Sequence, residues 1–200
     1  MRILHTSDLH FNTQWFDWIA KQQDSYDVFV ISGDFLESSK ETPLLEQIAW
    51  VSSWIKAFQK PLFVCSGNHD IEEFDNEEWL NVIDTSNYYT DNSKKTIEGI
   101  RFGCYPYIGA EGYYDFDNVD VLITHVPPSN TDTAIDNETG ADWGDRELYG
   151  ALKRKIIKPK VILCGHQHHP IHSKYLLENT ELYNAAYGDG NIPMHHSIIV

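Results

Sequence analysis

The chain is short of cysteine, of basic residues and of long apolar runs, and each shortage excludes something. Three cysteines stand in 200 residues, Cys65, Cys104 and Cys164, with no Cys-x-x-Cys pair. An odd number, each inside or beside an apolar run, reads as buried reduced thiols. A disulfide framework or a cysteine-built zinc site is not expected. Lysine and arginine total 15 against 30 aspartates and glutamates, a net charge of −15. Such a balance lacks the basic face that holds duplex nucleic acid, so no duplex partner is expected. No stretch of ~18 apolar residues occurs, so neither a transmembrane helix nor a membrane partner is expected. The opening residues, Met1-Arg2-Ile3-Leu4-His5-Thr6-Ser7-Asp8, meet charge at once and lack the long apolar core of a secretory leader. A cytoplasmic location is the expectation.

What is present suits a folded protein. The composition is 42% hydrophobic and 22% charged, too apolar for a disordered chain. The length suits one domain over residues 1–200 with a sizeable core. Short apolar runs alternate with stretches of helical period. Strands are expected at 3–6, 28–31 and 62–65, then at 95–105, 119–124, 161–164, 171–177, 181–185 and 195–200. Helices are expected around 15–20, at 43–58 with Pro43 opening it, at 77–83 and at 145–157. Strand–helix–strand order implies a largely parallel sheet, and the strand-rich second half implies another. The expected fold class is α/β, with two mixed β-sheets packed face to face and helices outside. Residues 126–144 form a long polar connection, which favours a functional loop or lid over a plain linker.

Chemistry gathers at the expected strand ends. They read Ser7-Asp8-Leu9-His10, Ser32-Gly33-Asp34, Ser66-Gly67-Asn68-His69-Asp70, Thr124-His125 and Gly165-His166-Gln167-His168. In parallel α/β architecture the carboxyl ends of strands share one edge, where ligands bind. Each piece alone has an ordinary reading, such as a turn, a cap or a surface histidine. Five in chain order, each after an apolar run, do not read as packing. Carboxylate, amide oxygen and imidazole are the ligands of hard and borderline divalent metals. The candidates exceed the needs of one metal with an open position. They suffice for two if one carboxylate bridges, and such a pair can clamp the attacking and leaving oxygens of a displacement.

The series DLH, GDF, GNHD, THVPP and GHQH, spanning Asp8 to His168, resembles the calcineurin-like metallophosphoesterase family. The resemblance implies a four-layer fold and hydrolysis of phosphoesters by metal-bound hydroxide. The substrate would be a small phosphodiester or phosphomonoester, with the diester slightly favoured. It implies two divalent ions, manganese foremost, with iron, zinc or nickel also suited to the ligands. Asp8, His10 and His168 would hold one ion, and Asn68, His125 and His166 the other, with Asp34 bridging. His69 would contact the phosphate and protonate the leaving oxygen, with Asp70 holding its imidazole. Asn68 and His69 would bind substrate.

The departures matter as much. The protein phosphatase branch of that family carries GDxVDRG, where this chain has Gly33-Asp34-Phe35-Leu36-Glu37-Ser38-Ser39. The phosphate-clamping arginines of that branch have no counterpart, which lowers a phosphoprotein phosphatase to an alternative. A non-catalytic scaffold of the same fold is a further alternative, at odds with the full ligand set. Phe11, Trp15, Phe35, Tyr105, Tyr107 and Trp143 are candidates to wall a pocket for a base or aryl group. Trp15 reads better as packing.

Overall fold

Alternate side chains along the central strands face different cores, and that alternation sets the layering. The computed structural model describes residues 1–71, 79–108, 112–186 and 188–200. Its first sheet holds β1 (Arg2–Thr6), β2 (Val28–Ser32), β3 (Leu62–Cys65), β4 (Tyr88–Tyr89) and β11 (His195–Ile199). Its second holds β5 (Lys94–Ile97), β6 (Ile100–Cys104), β7 (Val121–Ile123), β8 (Val161–Cys164), β9 (Lys174–Leu177) and β10 (Thr180–Asn184). The described α-helices are α1 (Thr13–Lys21), α2 (Leu44–Ala57) and α3 (Arg146–Lys153).

Val28, Val30, Phe63 and Cys65 of the first sheet pack against Phe102, Val121, Ile123, Val161 and Leu163 of the second. Their chain neighbours Phe29, Ile31, Leu62 and Val64 turn the other way, onto α1 and α2 through Phe16, Ile19, Val51 and Ile55. Beyond the second sheet, Leu122, Ile162 and Leu182 meet Leu148, Ala151 and Leu152 of α3. The layers are therefore helix, sheet, sheet, helix, the expected α/β arrangement. A run such as Val28-Phe29-Val30-Ile31 is apolar throughout because both faces are covered.

The strand order is β11-β1-β2-β3-β4 in one sheet and β5-β6-β7-β8-β10-β9 in the other. Neighbours from β1 to β4, and β6-β7-β8-β10, run parallel; β11, β5 and β9 are antiparallel edges. The strand expected over 95–105 is a hairpin. Glu98 and Gly99 both take positive φ, as a two-residue hairpin turn of matching twist requires. The helix expected at 145–157 ends at Lys153, and Lys155 adopts φ +58°. Of the helix expected at 77–83, residues 77 and 78 lie outside the described residues, and 79–82 form turns. No helix of the described residues is long and apolar enough to cross a membrane.

The connection over 126–144 is tied down. Ser129, Thr131, Thr133 and Ala134 are buried. Asn184 Nδ2 donates to Thr133 O at 2.9 Å, Gln167 Nε2 to Asp136 Oδ2 at 2.9 Å, and Asn137 N to His169 O at 2.9 Å. These ties, to residues that follow β8 and to β10, bind it to the second sheet.

His196 donates from Nε2 to Asn184 O at 2.7 Å, beside the buried His5 ring. Burial pushes the His196 imidazolium down to about 4. Between ~6.5 and that value the unfolded chain takes up a proton that the folded chain refuses. Stability is therefore full above ~6.5 and falls as pH drops through the window, by on the order of 3 kcal/mol. The substitution His196→Gln, which keeps a donor, is expected to reduce the stability lost between about pH 7 and about pH 4.5. Denaturant melts at the two pH values measure this, and equal losses in both proteins refute it.

Candidate metal centre

Five parallel strands, β1, β2, β3, β7 and β8, deliver their carboxyl ends to the seam between the sheets. Asp8 follows β1, Asp34 follows β2, Asn68 and His69 follow β3, His125 follows β7, and His166 and His168 follow β8. The backbone at this edge leaves ordinary strand geometry. Asp8, His10, Asp34 and His166 have φ of 54°, 43°, 57° and 67°. Such left-handed conformations cost of order 1 kcal/mol or more in side-chain-bearing residues and cluster at functional sites. They persist here because the loops are locked: Asp8 N donates to Gly33 O at 3.0 Å and His10 N to Asp34 O at 3.0 Å.

Two glycines are required by contact. A Cβ on Gly165 would fall on Ser7 Oγ and Asp8 Oδ2, and one on Gly67 would fall on Asp34 Oδ1. The motif glycines thus let the loops close on the carboxylates.

The donor atoms converge. His168 Nε2 lies 3.1 Å from Asp8 Oδ1 and 3.4 Å from His10 Nε2. His125 Nε2 lies 3.3 Å from Asp34 Oδ2 and 3.0 Å from Asn68 Oδ1, and His166 Nδ1 lies 3.0 Å from the same amide oxygen. Donor atoms of Asp8, His10 and His168 fall within 4.8 Å of one another. So do those of Asp8, Asp34 and His125, and those of His10, Asp34 and His69. All seven expected ligands meet in one place, with His69 beside them.

The donor set fits divalent cations. Asp8 and Asp34 are buried, at 0% and 2% exposure. The lysine ion pairs among the described residues lie elsewhere, Lys153 with Glu178 and Lys160 with Asp120. Two buried carboxylates therefore face each other's field with imidazoles and two backbone N–H groups, of His69 and His166, for balance. His125 sharpens the point. Its Nδ1 faces Ser32 O at 2.8 Å, a carbonyl that only accepts, so Nδ1 carries a proton. Its Nε2 then points at two further acceptor oxygens, Asp34 Oδ2 and Asn68 Oδ1. Either a second proton or a cation must lie between them.

The ionisation of the residues follows the same logic. Burial works to lower the His125 imidazolium, but the Asp34 carboxylate overrides it and raises it to about 10. Burial likewise works to raise Asp34, yet His125 holds it below the usual carboxylate range. Burial pushes His166 down to about 4, which leaves it neutral at ordinary pH.

Asp70 corrects an expectation. The family resemblance places it at the His69 imidazole, but its carboxylate points into the backbone. Asp70 Oδ2 accepts from Asp34 N and Gly67 N, and Oδ1 from Phe35 N and Leu36 N, at 2.8–3.2 Å. Burial, then the Asp34 charge, pushes its carboxyl up to about 8, while the N–H donors act the other way. Asp70 shapes the loop that presents Asp34. The carboxylate at the His69 ring is Glu37, whose Oε2 lies 3.9 Å from His69 Nδ1 and 3.3 Å from His10 Nδ1. Its other oxygen is held by Ser39 N at 2.9 Å. The sequence offered one signal for Glu37, its place three residues after Asp34.

Of the candidate pocket aromatics, Phe35 and Trp15 are core residues. Phe11 packs edge-on against Trp50, and Trp143 is exposed. Tyr105 and Tyr107 line a cavity that His125 also lines.

Comparison with known proteins gives the family and the fold. A family model described as calcineurin-like phosphoesterase matches residues 1–170. No curated protein matches the chain. Among solved structures, protein TT1561 of Thermus thermophilus superposes with TM-score 0.67 at 10% identity, over 92% of this chain and 88% of its own. A novel archaeal phosphodiesterase superposes with TM-score 0.55 at 16% identity, over 100% of both. The purple acid phosphatase PPD1 of yellow lupin superposes with TM-score 0.60 at 13% identity, over 92% of this chain and 43% of its own.

Removing Asp70 separates its two possible roles. The substitution Asp70→Ala strips acceptors from four buried N–H groups. It is expected to cost about 3 kcal/mol of stability, read as a lower thermal midpoint. An unchanged midpoint with reduced turnover would restore the His69 role.

Proposed function

The chain belongs to the calcineurin-like phosphoesterase family and is a metal-dependent hydrolase of phosphoesters, and from that premise we propose a two-cation phosphodiesterase within a single domain. The observation that carries the reading is the pair of buried carboxylates, Asp8 and Asp34, with no lysine or arginine paired to either among the described residues. Asp8, His10 and His168 would hold one divalent cation, and Asn68, His125 and His166 the other. Asp34, whose carboxylate clusters with His10 of the first set and with His125 of the second, would bridge them. Divalent cations held there would acidify water and neutralise charge gathering on the phosphoryl oxygens.

The chain's own residues do the rest. The Ser32 carbonyl fixes the His125 tautomer so that Nε2 faces the site. Gly67 and Gly165 allow the loops to close on the carboxylates, and Gly33 leaves room for the His125 ring. His69 stands edge-on to His10 with ring centroids 4.7 Å apart and is partly open to solvent. It would donate a proton to the leaving oxygen, with the Glu37 carboxylate 3.9 Å from its Nδ1. Asn68 and His69 would contact the substrate phosphate.

A diester suits the charge. A monoester dianion is typically met by arginine or lysine as well as metal, and this site pairs neither. A diester carries one charge fewer. The archaeal protein of shared fold is a phosphodiesterase, which is in keeping with the reading.

Chelator-treated protein should hydrolyse bis(p-nitrophenyl) phosphate and p-nitrophenyl phosphate only after manganese is restored, with the diester preferred. Preference for the monoester would overturn the diester reading. In Asp34→Ala, metal analysis should find at most one cation per chain, and two would sink the bridging role. The substitution His69→Ala should cut turnover by roughly 10²-fold or more with metal content retained. Loss of metal instead would make His69 a ligand.

A further inference from the structure

His125 forms part of the wall of a second space. A cavity of about 340 Å³ opens beside it, lined also by Tyr105, Tyr107, Ile108, Tyr113 and Val126. His10, His69 and Glu37 do not line it, nor does any lysine or arginine. Three of the lining side chains are tyrosines, and Asp145 also lines the space. Tyr105 and Tyr113 stack with centroids 4.1 Å apart and planes 12° apart. The Tyr107 ring meets His125 edge-on at 5.9 Å. Tyr107 N donates to Ser66 Oγ at 3.0 Å, which ties this wall to the loop that carries Asn68. Tyr105 N donates to Ile123 O at 2.8 Å, and the Tyr113 hydroxyl donates to Asp145 Oδ2. At the rim, Tyr107 and Ile108 are exposed although the chain is strongly acidic. Large apolar groups left open beside a polar site mark a binding surface.

We propose that this cavity takes a planar aromatic group, an aryl ring or a nucleobase, carried on the retained ester oxygen of a phosphodiester. The proposal rests on the two-cation reading and adds the substrate class. The volume lies at the small end of ligand cavities, enough for one ring-bearing arm. Walls without a cation give no purchase on a second phosphate. The cavity adjoins His125, whereas His69 stands with Glu37 and His10, so the arm in the cavity is the one that stays. Water adds to phosphorus, the bond to the leaving oxygen breaks, and that oxygen takes a proton. The aromatic group departs later, on the monoester product. A monoester has no retained arm and would leave the cavity unused.

The test varies the retained arm alone. Methyl p-nitrophenyl phosphate and bis(p-nitrophenyl) phosphate share a leaving group, and comparing wild type with variant on each cancels their intrinsic reactivities. Tyr107→Leu is expected to lower kcat/KM for the aryl-armed diester roughly five- to tenfold more than for the methyl diester. Tyr107→Phe should keep the wild-type preference. Equal losses on both substrates would overturn the proposal. Failure of the manganese-loaded wild type to hydrolyse either diester would sink the hydrolytic reading separately. In that case calorimetric titration with diphenyl phosphate and dimethyl phosphate decides. Tighter binding of the diphenyl ester, lost in Tyr107→Leu, supports the cavity as the aryl site, and equal affinities overturn it.

Discussion

Two carboxylates buried at the junction of two sheets, with imidazoles and two backbone N–H groups but no paired lysine or arginine among the described residues, set the terms for everything around them. Burying one uncompensated charge costs several kcal/mol, and burying two side by side costs more. A chain that keeps Asp8 and Asp34 buried without lysine or arginine has left that balance to something it binds. Much of the local structure serves this arrangement. The left-handed conformations at Asp8, His10, Asp34 and His166 turn side chains into the seam. Gly67 and Gly165 remove the Cβ atoms that would collide with the carboxylates. Asp70 gathers four backbone N–H groups so that the loop bearing Asp34 can turn sharply. Ser32 O joins the sheets directly, accepting from Ser7 Oγ at 2.8 Å and facing His125 Nδ1 at the same distance.

The layered architecture makes the convergence possible. Two sheets packed face to face bring the carboxyl ends of β1, β2 and β3 against those of β7 and β8. No single sheet could surround the carboxylates in this way. The hydrophobic faces decide the register, since a slip of one residue would turn Val28 and Val30 out of the core between the sheets. The same slip would move Asp34 away from His125. Packing and ligand geometry are therefore specified together.

The sequence made the strand ends legible because each was an apolar run followed by a short polar motif, and local order survives folding. The layer order was legible for the same reason. Asp70 was not. Its neighbour in the chain is His69, and adjacency suggested a partnership, but a single turn of 3-10 helix over Asn68–Asp70 points the two side chains in different directions. Glu37 stayed hidden because its relation to His69 spans two loops. The hairpin at Glu98-Gly99 was missed where glutamate, an uncommon turn residue, takes φ 48°. The long polar stretch at 126–144 resembled a free loop, since burial of Thr131 and Thr133 depends on backbone partners far along the chain.

Asp145 holds two structures with one carboxylate. Its Oδ1 caps α3, accepting from Glu147 N at 2.7 Å and Leu148 N at 3.0 Å, while its Oδ2 receives the Tyr113 hydroxyl at the cavity wall. Sequence drift at this position cannot reshape the cavity without loosening the helix as well. The cavity is thus divided into a part that evolution can revise and a part that it inherits. Change is cheaper at the rim, where the Tyr107 and Ile108 side chains are exposed. Divergence among descendants of this chain would accordingly be written at two or three exposed positions, over a floor that stays the same.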